Sequence, residues 1–142
     1  MKISIPDVNL LFALVSAGHP LQNSSVKWMD GREADSVAIC RVTQMGLLRL
    51  LTNAKAVPGK VCSIPRAWEV VNELMADKRV FFESEPPDLE EIWVALTKDP
   101  SVGPSSWTDA YLAAFAQGHG YEMVTFDRGF RRWGELTLHL LV

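Results

Sequence analysis

Three aspartates stand at breaks in the most hydrophobic stretches of this chain. Asp7 interrupts "ISIPDVNLLFAL", Asp109 lies in "SSWTDAYLAAF", and Asp127 directly follows "EMVTF". An ionised carboxylate between apolar neighbours costs several kcal/mol unless another group pairs with it. Carboxylates brought close together repel one another, and hard divalent cations held by oxygen ligands relieve that repulsion. If the fold brings the three acids together, their chemistry predicts a shared metal site.

The elements that would position these acids are short strands alternating with helices. Strand-like segments are "KISI", "SVAIC", "RVFFES", "EMVTF" and "LTLHLL". Segments with helical periodicity are "VNLLFALVSA", "NSSVKWMDGREA", "TQMGLLRLLTN", "RAWEVVNELMAD", "DLEEIWVALTKD" and "SWTDAYLAAFAQGHG". In "RAWEVVNELMAD" the spacing predicts one apolar face made by Trp68, Val71, Leu74 and Met75. This alternation favours parallel pairing through right-handed crossovers, and it predicts an α/β fold with three α/β/α layers.

In an open parallel sheet, ligands bind beyond the carboxyl ends of the strands. Asp7 and Asp127 each follow a predicted strand, and Asp109 falls in the first turn of a predicted helix. Each acid also has an ordinary structural interpretation. Asp7 suits a helix N-cap, Asp109 suits the positive end of a helix dipole, and Asp127 suits a turn with Arg128 and Gly129.

Size and composition indicate one ordinary globular domain spanning residues 1–142, with 48% hydrophobic and 22% charged residues. A net charge of −3 excludes a strongly basic nucleic-acid binder and an acidic disordered tail. Cys40 and Cys62 are too far apart for a C-x-x-C motif, which favours a reducing cytosol. We expect a cytoplasmic protein, since no signal peptide or membrane-spanning run is apparent.

The segments "IPDVNLLFAL", "ICRVTQMGLLRLLTN" and "SSWTDAYLAAFAQGHGYEMVTFDRGF" together resemble PIN-domain ribonucleases, and most closely the VapC toxins of bacterial type II toxin–antitoxin modules. The resemblance covers residues 3 to about 133. It implies an α/β/α fold with a four- or five-stranded parallel sheet, Mg²⁺ (or Mn²⁺) as cofactor, and metal-dependent cleavage of RNA. It also implies a VapB-like antitoxin as partner, and such proteins are commonly homodimers.

Residue by residue, the resemblance makes Asp7, Asp109 and Asp127 the metal-binding and catalytic carboxylates, supported by Asn9 and Thr108. The fourth acid of the family corresponds here to Gln44 at "VTQM". A carboxamide oxygen can ligate Mg²⁺ but brings no charge, so we expect weaker metal binding or fewer ions.

Positive charge is concentrated near the predicted site, although the whole chain is acidic. Arg128, Arg131 and Arg132 follow Asp127, and Arg41 and Arg49 flank Gln44. We expect RNA contacts from Arg41, Arg128 and Arg131. Three tryptophans could stack unpaired bases or belong to the core: Trp28, Trp107 and Trp133.

Two other classes of protein compete with the nuclease interpretation. Because one acid is absent, the chain could be a PIN-like module that binds RNA or an antitoxin and has weak or no catalytic activity. A dehalogenase-like or receiver-type phosphotransfer domain also places an aspartate after its first strand. Asp7-Val8-Asn9 lacks the D-x-D motif of such dehalogenases, and the strand-ending lysine of receiver domains is not apparent.

Overall fold

All five strands belong to one parallel sheet in the computed structural model, which describes residues 1–57 and 59–142. The strands are β1 (Ser4–Pro6), β2 (Val37–Ile39), β3 (Val80–Phe82), β4 (Glu122–Thr125) and β5 (Leu138–Leu140). Their order across the sheet is β3-β2-β1-β4-β5. Every neighbouring pair is parallel, with Pro6 of β1 opposite Val124 of β4. The predicted parallel α/β fold is confirmed, with five strands.

Within the described residues, six α-helices flank this sheet: α1 (Val8–Val15), α2 (Gln22–Asp30), α3 (Arg41–Leu51), α4 (Ile64–Met75), α5 (Leu89–Leu96) and α6 (Trp107–His119). A 3-10 turn at Pro104–Ser106 precedes α6, and a second one spans Arg128–Arg132. Gly120 ends α6 with φ of 71°, a left-handed conformation in which glycine carries no steric penalty.

Two hydrophobic clusters, one on each face of the sheet, make the three layers. Successive strand residues point to opposite faces, so Val37 and Ile39 pack with α1 to α4 while Ala38 packs with α5 and α6. In β4, Met123 likewise packs with α5 and α6, and Val124 packs on the opposite face with α1 to α4. The helix α6 is buried over most of its circumference, and its four inward alanines allow close approach to the strands: Ala110, Ala113, Ala114 and Ala116.

The structure corrects three details of the sequence interpretation. The helix predicted over "NSSVKWMDGREA" ends at Asp30, where Gly31 donates its backbone N–H to Trp28. The polar turn predicted after Asp127 is present, but it continues as a regular 3-10 helix over Arg128–Arg132. Trp68 was expected on the buried face of α4, but that face is centred on Ala67, Val71 and Leu74, which leaves Trp68 44% exposed.

The contact between α6 and the segment leading into α5 depends on Gly118. A Cβ atom at this position would lie 2.5 Å from Cγ of Pro86 and 2.9 Å from its Cβ. Pro86 is buried and its ring is rigid, so neither partner has room to move. We expect Gly118→Ala to lower the free energy of unfolding by about 1–2 kcal/mol, because overpacking outweighs the better helix propensity of alanine.

Chemical denaturation of Gly118→Ala and Gly134→Ala tests this packing argument. Gly134 is the matched control, since a Cβ there meets no atom within 4 Å. Equal stability of both variants and the wild type would show that the Gly118 contact relaxes without cost.

In the part of the chain that the structure describes, every helix is too short or too polar to traverse a lipid bilayer.

Candidate active site

Two of the three predicted acids lie at the carboxyl ends of adjacent strands. Asp7 follows β1 and Asp127 lies two residues beyond β4, and these strands are neighbours in the sheet. The backbone N–H of Asp7 donates to the carbonyl of Val124, at 3.1 Å. Residues separated by 120 positions in the sequence are thus brought to one sheet edge, as the sequence predicted for open parallel sheets.

Both carboxylate oxygens of Asp7 accept hydrogen bonds inside the protein. Oδ1 accepts from the backbone N–H of Leu10 at 3.0 Å, which confirms Asp7 as the N-cap of α1. Oδ2 accepts from the hydroxyl of Thr125 at 2.6 Å. The residue is only 3% exposed, and burial raises the pKa of Asp7 to about 6 even though both hydrogen bonds lower it. Asp109 and Asp127 raise this pKa further through charge repulsion.

Thr125 connects two of the acids and was missed in the sequence analysis. Its Oγ1 donates to Asp7 and accepts from the backbone N–H of Asp127 at 2.9 Å. Asp127 in turn accepts from the N–H of Gly129 at 2.8 Å, which confirms the predicted turn. A signal was present, because Thr125 is the last residue of the apolar strand segment "MVT" and a buried hydroxyl needs a hydrogen-bond partner.

The third acid, Asp109, comes from the first turn of α6 and is half-buried. Its pKa is raised by burial and by the charge of Asp127, and Arg132 opposes this by lowering it. Among the described residues its carboxylate has no hydrogen-bond partner. The charges of Asp109 and Asp127 raise the pKa of Asp7, and the charge of Asp127 raises the pKa of Asp109, so the three carboxylates are within electrostatic range of one another. Within residues 1–57 and 59–142, however, no three His, Cys, Asp or Glu side chains are close enough to hold a metal ion between them.

The predicted supporting residues form no hydrogen bond with the acids within the described residues. Asn9 and Thr108 are exposed in the first turns of α1 and α6, and neither side chain forms a hydrogen bond within the described residues. Gln44 is half-buried on α3, where its Oε1 accepts from the guanidinium of Arg41. Arg41 also packs over the ring of Phe82, 4.6 Å from its centroid. The side chain of Gln44 is therefore hydrogen-bonded to Arg41 and not to any of the three aspartates.

The arginines after Asp127 divide into two kinds. All three are exposed, and the side chains of Arg128 and Arg131 form no hydrogen bond or ion pair within the described residues. Arg132 donates to the hydroxyl of Ser101 at 2.7 Å and packs over Trp133, 4.9 Å from the ring centroid. The charge of Arg132 lowers the pKa of Asp109, whereas the RNA contacts predicted from the sequence were assigned to Arg41, Arg128 and Arg131.

Comparison with known proteins identifies the class that this fold and site define. The model of the PIN domain family matches residues 4–136, and the chain belongs to that family. The chain is 40% identical to Ribonuclease VapC41 of Mycobacterium tuberculosis over 95% of its length and 96% of the relative. It is 31% identical to Ribonuclease VapC38 of the same organism, over 89% and 86% of the two chains.

Solved structures show the same fold at low sequence identity. VapC20 of Mycobacterium tuberculosis, described as a sarcin-ricin loop cleaving toxin, aligns with a TM-score of 0.70 and 20% identity, over 92% of this chain and 95% of that one. VapBC2 from Rickettsia felis, bound to a DNA fragment from its promoter, aligns with a TM-score of 0.70 and 13% identity, over 99% and 100%.

Proposed function

We propose that this protein is a metal-dependent endoribonuclease that acts as the toxin of a toxin–antitoxin module. The observation that supports the proposal is that Asp7 and Asp127 follow neighbouring strands of the sheet, and that the charges of Asp109 and Asp127 raise the pKa of Asp7. Membership of the PIN family and the similarity to Ribonuclease VapC41 over nearly the whole chain support it.

The donor set suits Mg²⁺ or Mn²⁺, which prefer oxygen ligands. Asp109 has both carboxylate oxygens free of protein hydrogen bonds in the described residues. In Asp127 only Oδ1 accepts a hydrogen bond, so Oδ2 is open to a cation. Each carboxylate oxygen of Asp7 accepts one hydrogen bond and retains a second lone pair. Asp7, Asp109 and Asp127 would hold the ion. When bound, such an ion supplies an activated water and neutralises charge that develops on the phosphate.

The chain's own residues contribute positioning and charge. Thr125 fixes Asp7 through its hydroxyl and fixes the backbone of Asp127, so the two carboxylates keep their relative place at the sheet edge. The positive charge of Arg132 acts on Asp109 and would favour a polyanion such as RNA near this carboxylate. His and Ser nucleophiles have no role in this proposal.

Cleavage of single-stranded and structured RNA, with Mn²⁺ and with EDTA, tests the proposed function. We expect cleavage with Mn²⁺ and its loss with EDTA. Cleavage that EDTA leaves unchanged would refute metal dependence, whereas RNA binding without cleavage would favour a PIN-like binding module.

A VapB-like antitoxin is the proposed protein partner, because VapBC complexes are among the structural neighbours. Exposed apolar side chains on α4 offer a surface for it, with Ile64 69% exposed beside Trp68. Copurification of this chain with the product of an adjacent small gene, and inhibition of RNA cleavage by that product, would test the pairing. Homodimer formation is proposed from the family alone.

The missing fourth acid gives a prediction about metal affinity. Gln44 is already bonded to Arg41, so we expect Gln44→Glu to form an ion pair with Arg41 and to change Mn²⁺ affinity less than threefold. Isothermal titration of Mn²⁺ into wild type and variant measures this, with Glu90→Gln on the exposed side of α5 as control. Tenfold or tighter binding by Gln44→Glu would instead place position 44 among the ligands.

A further inference from the structure

The guanidinium of Arg41 is held from two sides at the start of α3. Its Nη1 donates to Oε1 of Gln44, about one helical turn further along α3. Its central carbon lies 4.6 Å from the centroid of the Phe82 ring, at the end of β3. The group is therefore oriented before a ligand arrives, which lowers the entropy that binding costs.

The charge of Arg41 is not neutralised within the described residues. Its hydrogen-bond acceptor, the amide oxygen of Gln44, carries no charge, and no carboxylate lies within 4.0 Å of the guanidinium. A guanidinium has five N–H donors, of which one is bonded inside the described part of the chain. The side chain is exposed, so Arg41 retains both charge and donors for an anion.

The helix α3 packs against the residue that follows Asp7. A Cβ atom on Gly46 would lie 2.9 Å from Cγ2 of Val8, so a residue without a side chain lets α3 approach the start of α1 this closely. The strand that leads into α3 is β2, which neighbours β1 in the parallel sheet. Arg41 therefore begins α3 at the same sheet edge at which Asp7 begins α1.

A phosphate is the anion that this arrangement fits. A guanidinium can bind a phosphate through two parallel N–H···O bonds. Three ionised carboxylates around one divalent ion leave a net negative charge, so an RNA backbone at this edge needs further positive charge from the protein. Gln44 suits that requirement, because its carboxamide orients Arg41 without cancelling the charge, whereas a glutamate would cancel it.

We propose that Arg41 binds a backbone phosphate of the RNA substrate beside the three aspartates, and that Gln44 is the positioning residue that orients its guanidinium. This inference rests on the proposed ribonuclease function and adds a phosphate contact to that site. From the sequence, Arg41 and Gln44 were separate candidates, for RNA and for the metal. Their hydrogen bond joins them in one role, and position 44 then serves RNA binding rather than metal binding.

The test measures binding of a labelled single-stranded RNA in EDTA at several salt concentrations. It compares wild type with Arg41→Gln, Gln44→Ala, the variant that carries both changes, and Arg49→Gln. Arg49 is the matched control, because it is an exposed arginine in the last turn of the same helix, about two turns from Arg41. Thermal unfolding checks that every variant folds.

The two positions should differ in their salt dependence. We expect Arg41→Gln to raise Kd about 10-fold and to reduce the slope of log Kd against log salt by about 0.7, the value for one phosphate contact to a single strand. Gln44→Ala should raise Kd about threefold with an unchanged slope, because the charge of Arg41 remains. In the Arg41→Gln background Gln44→Ala should have no further effect, and Arg49→Gln should resemble wild type.

Cleavage with Mn²⁺, measured on the same variants, separates this inference from the proposed function. A protein that cleaves RNA, and whose Arg41→Gln variant keeps the Kd and the salt slope of wild type, overturns the phosphate contact alone. Equal losses in Arg41→Gln and Arg49→Gln overturn it as well, since they would show a general effect of charge. RNA binding that needs Arg41, without cleavage, supports the contact and refutes the nuclease.

Two further results would overturn the inference in part or in whole. A loss of affinity from Gln44→Ala that persists in the Arg41→Gln background overturns the positioning role of Gln44. Unaltered RNA affinity of Arg41→Gln, together with weaker binding of the antitoxin encoded by the adjacent gene, would assign the guanidinium to a protein interface. Absence of RNA binding and of cleavage in the wild type overturns both this inference and the proposed function.

Discussion

Replacing Asp109 by Asn should reduce RNA cleavage by about 100-fold or more while leaving the fold intact. Substituting a residue that merely orients a metal ligand lowers metal affinity or activity by about 10- to 100-fold. We therefore expect substitution of a direct ligand to lower activity by at least the upper value. Asparagine has nearly the same shape but no charge. Because the carboxylate of Asp109 has no hydrogen-bond partner in the described residues, the exchange breaks no internal bond.

Cleavage rates at saturating Mn²⁺ and thermal unfolding midpoints together measure this effect. Asp30→Asn is the control, since it removes a charge from the exposed end of α2, within a helix on the opposite face of the sheet from α6. We expect the unfolding midpoint of Asp109→Asn to equal or exceed that of the wild type, because burial and repulsion disfavour the charge of Asp109. Full cleavage activity in this variant would remove Asp109 from the metal site.

Replacing Asp7 by Asn should stabilise the metal-free protein by about 2 kcal/mol at neutral pH. Raising the pKa of Asp7 from 3.8 to about 6 corresponds to about 3 kcal/mol of penalty on the ionised form. Asparagine avoids that penalty and keeps an oxygen for the N–H of Leu10. It loses about 1 kcal/mol at Thr125, whose hydroxyl can no longer donate to a carboxylate.

The contribution of Asp7 to the free energy of unfolding falls as the pH rises. Below about pH 4 Asp7 is protonated in both folded and unfolded chains, so its burial carries no ionisation penalty. Between about pH 4 and 6 the folded protein retains a proton that the unfolded chain releases, and the stability contributed by this group falls as the pH rises. Above about pH 6 the penalty is complete. The advantage of Asp7→Asn should therefore be small or reversed at pH 4 and largest at pH 7.

Chemical denaturation of wild type and variant at pH 4 and pH 7, with EDTA to keep cations off the carboxylates, measures the difference. The hydrogen bond with Arg79 lowers the pKa of Asp77 to about 2, so Asp77 also contributes to the pH dependence of stability. Both proteins contain Asp77, so its contribution cancels in the difference between them. A stability difference that is the same at both pH values would show that the ionisation of Asp7 is not its source.

Asp7 combines an observed structural role as the N-cap of α1 with its proposed role as a metal ligand. The sequence analysis offered the N-cap and the metal ligand as alternatives, and the cap is confirmed. The same two hydrogen bonds that satisfy the buried carboxylate also hold it in a fixed orientation. A buried carboxylate with a raised pKa is typical of active sites, and the proposed cation would stabilise its ionised form.

Local features of this protein could be predicted from its sequence. Alternating strand-like and helical segments indicated parallel α/β layering, and an acid after an apolar strand indicated a carboxyl-edge position for Asp7 and Asp127. These inferences succeed because strand period, helix period and cap chemistry depend on residues a few positions apart. The buried face of α4 was less well predicted, since Trp68 lies at its margin and periodicity does not resolve a shift of one residue.

Tertiary structure alone decided which distant residues meet. The placement of β4 beside β1 brings Thr125 to Asp7 across 118 positions, and no local pattern encodes that bond. The same holds for Arg132 beside Asp109 and for the choice among three tryptophans, of which packing buries two and leaves Trp107 open. The sequence by itself determined where strands end and which side chains stand there; the order of the strands and the packing of the layers decided which of those side chains share one site, because burial and contact depend on the whole folded chain.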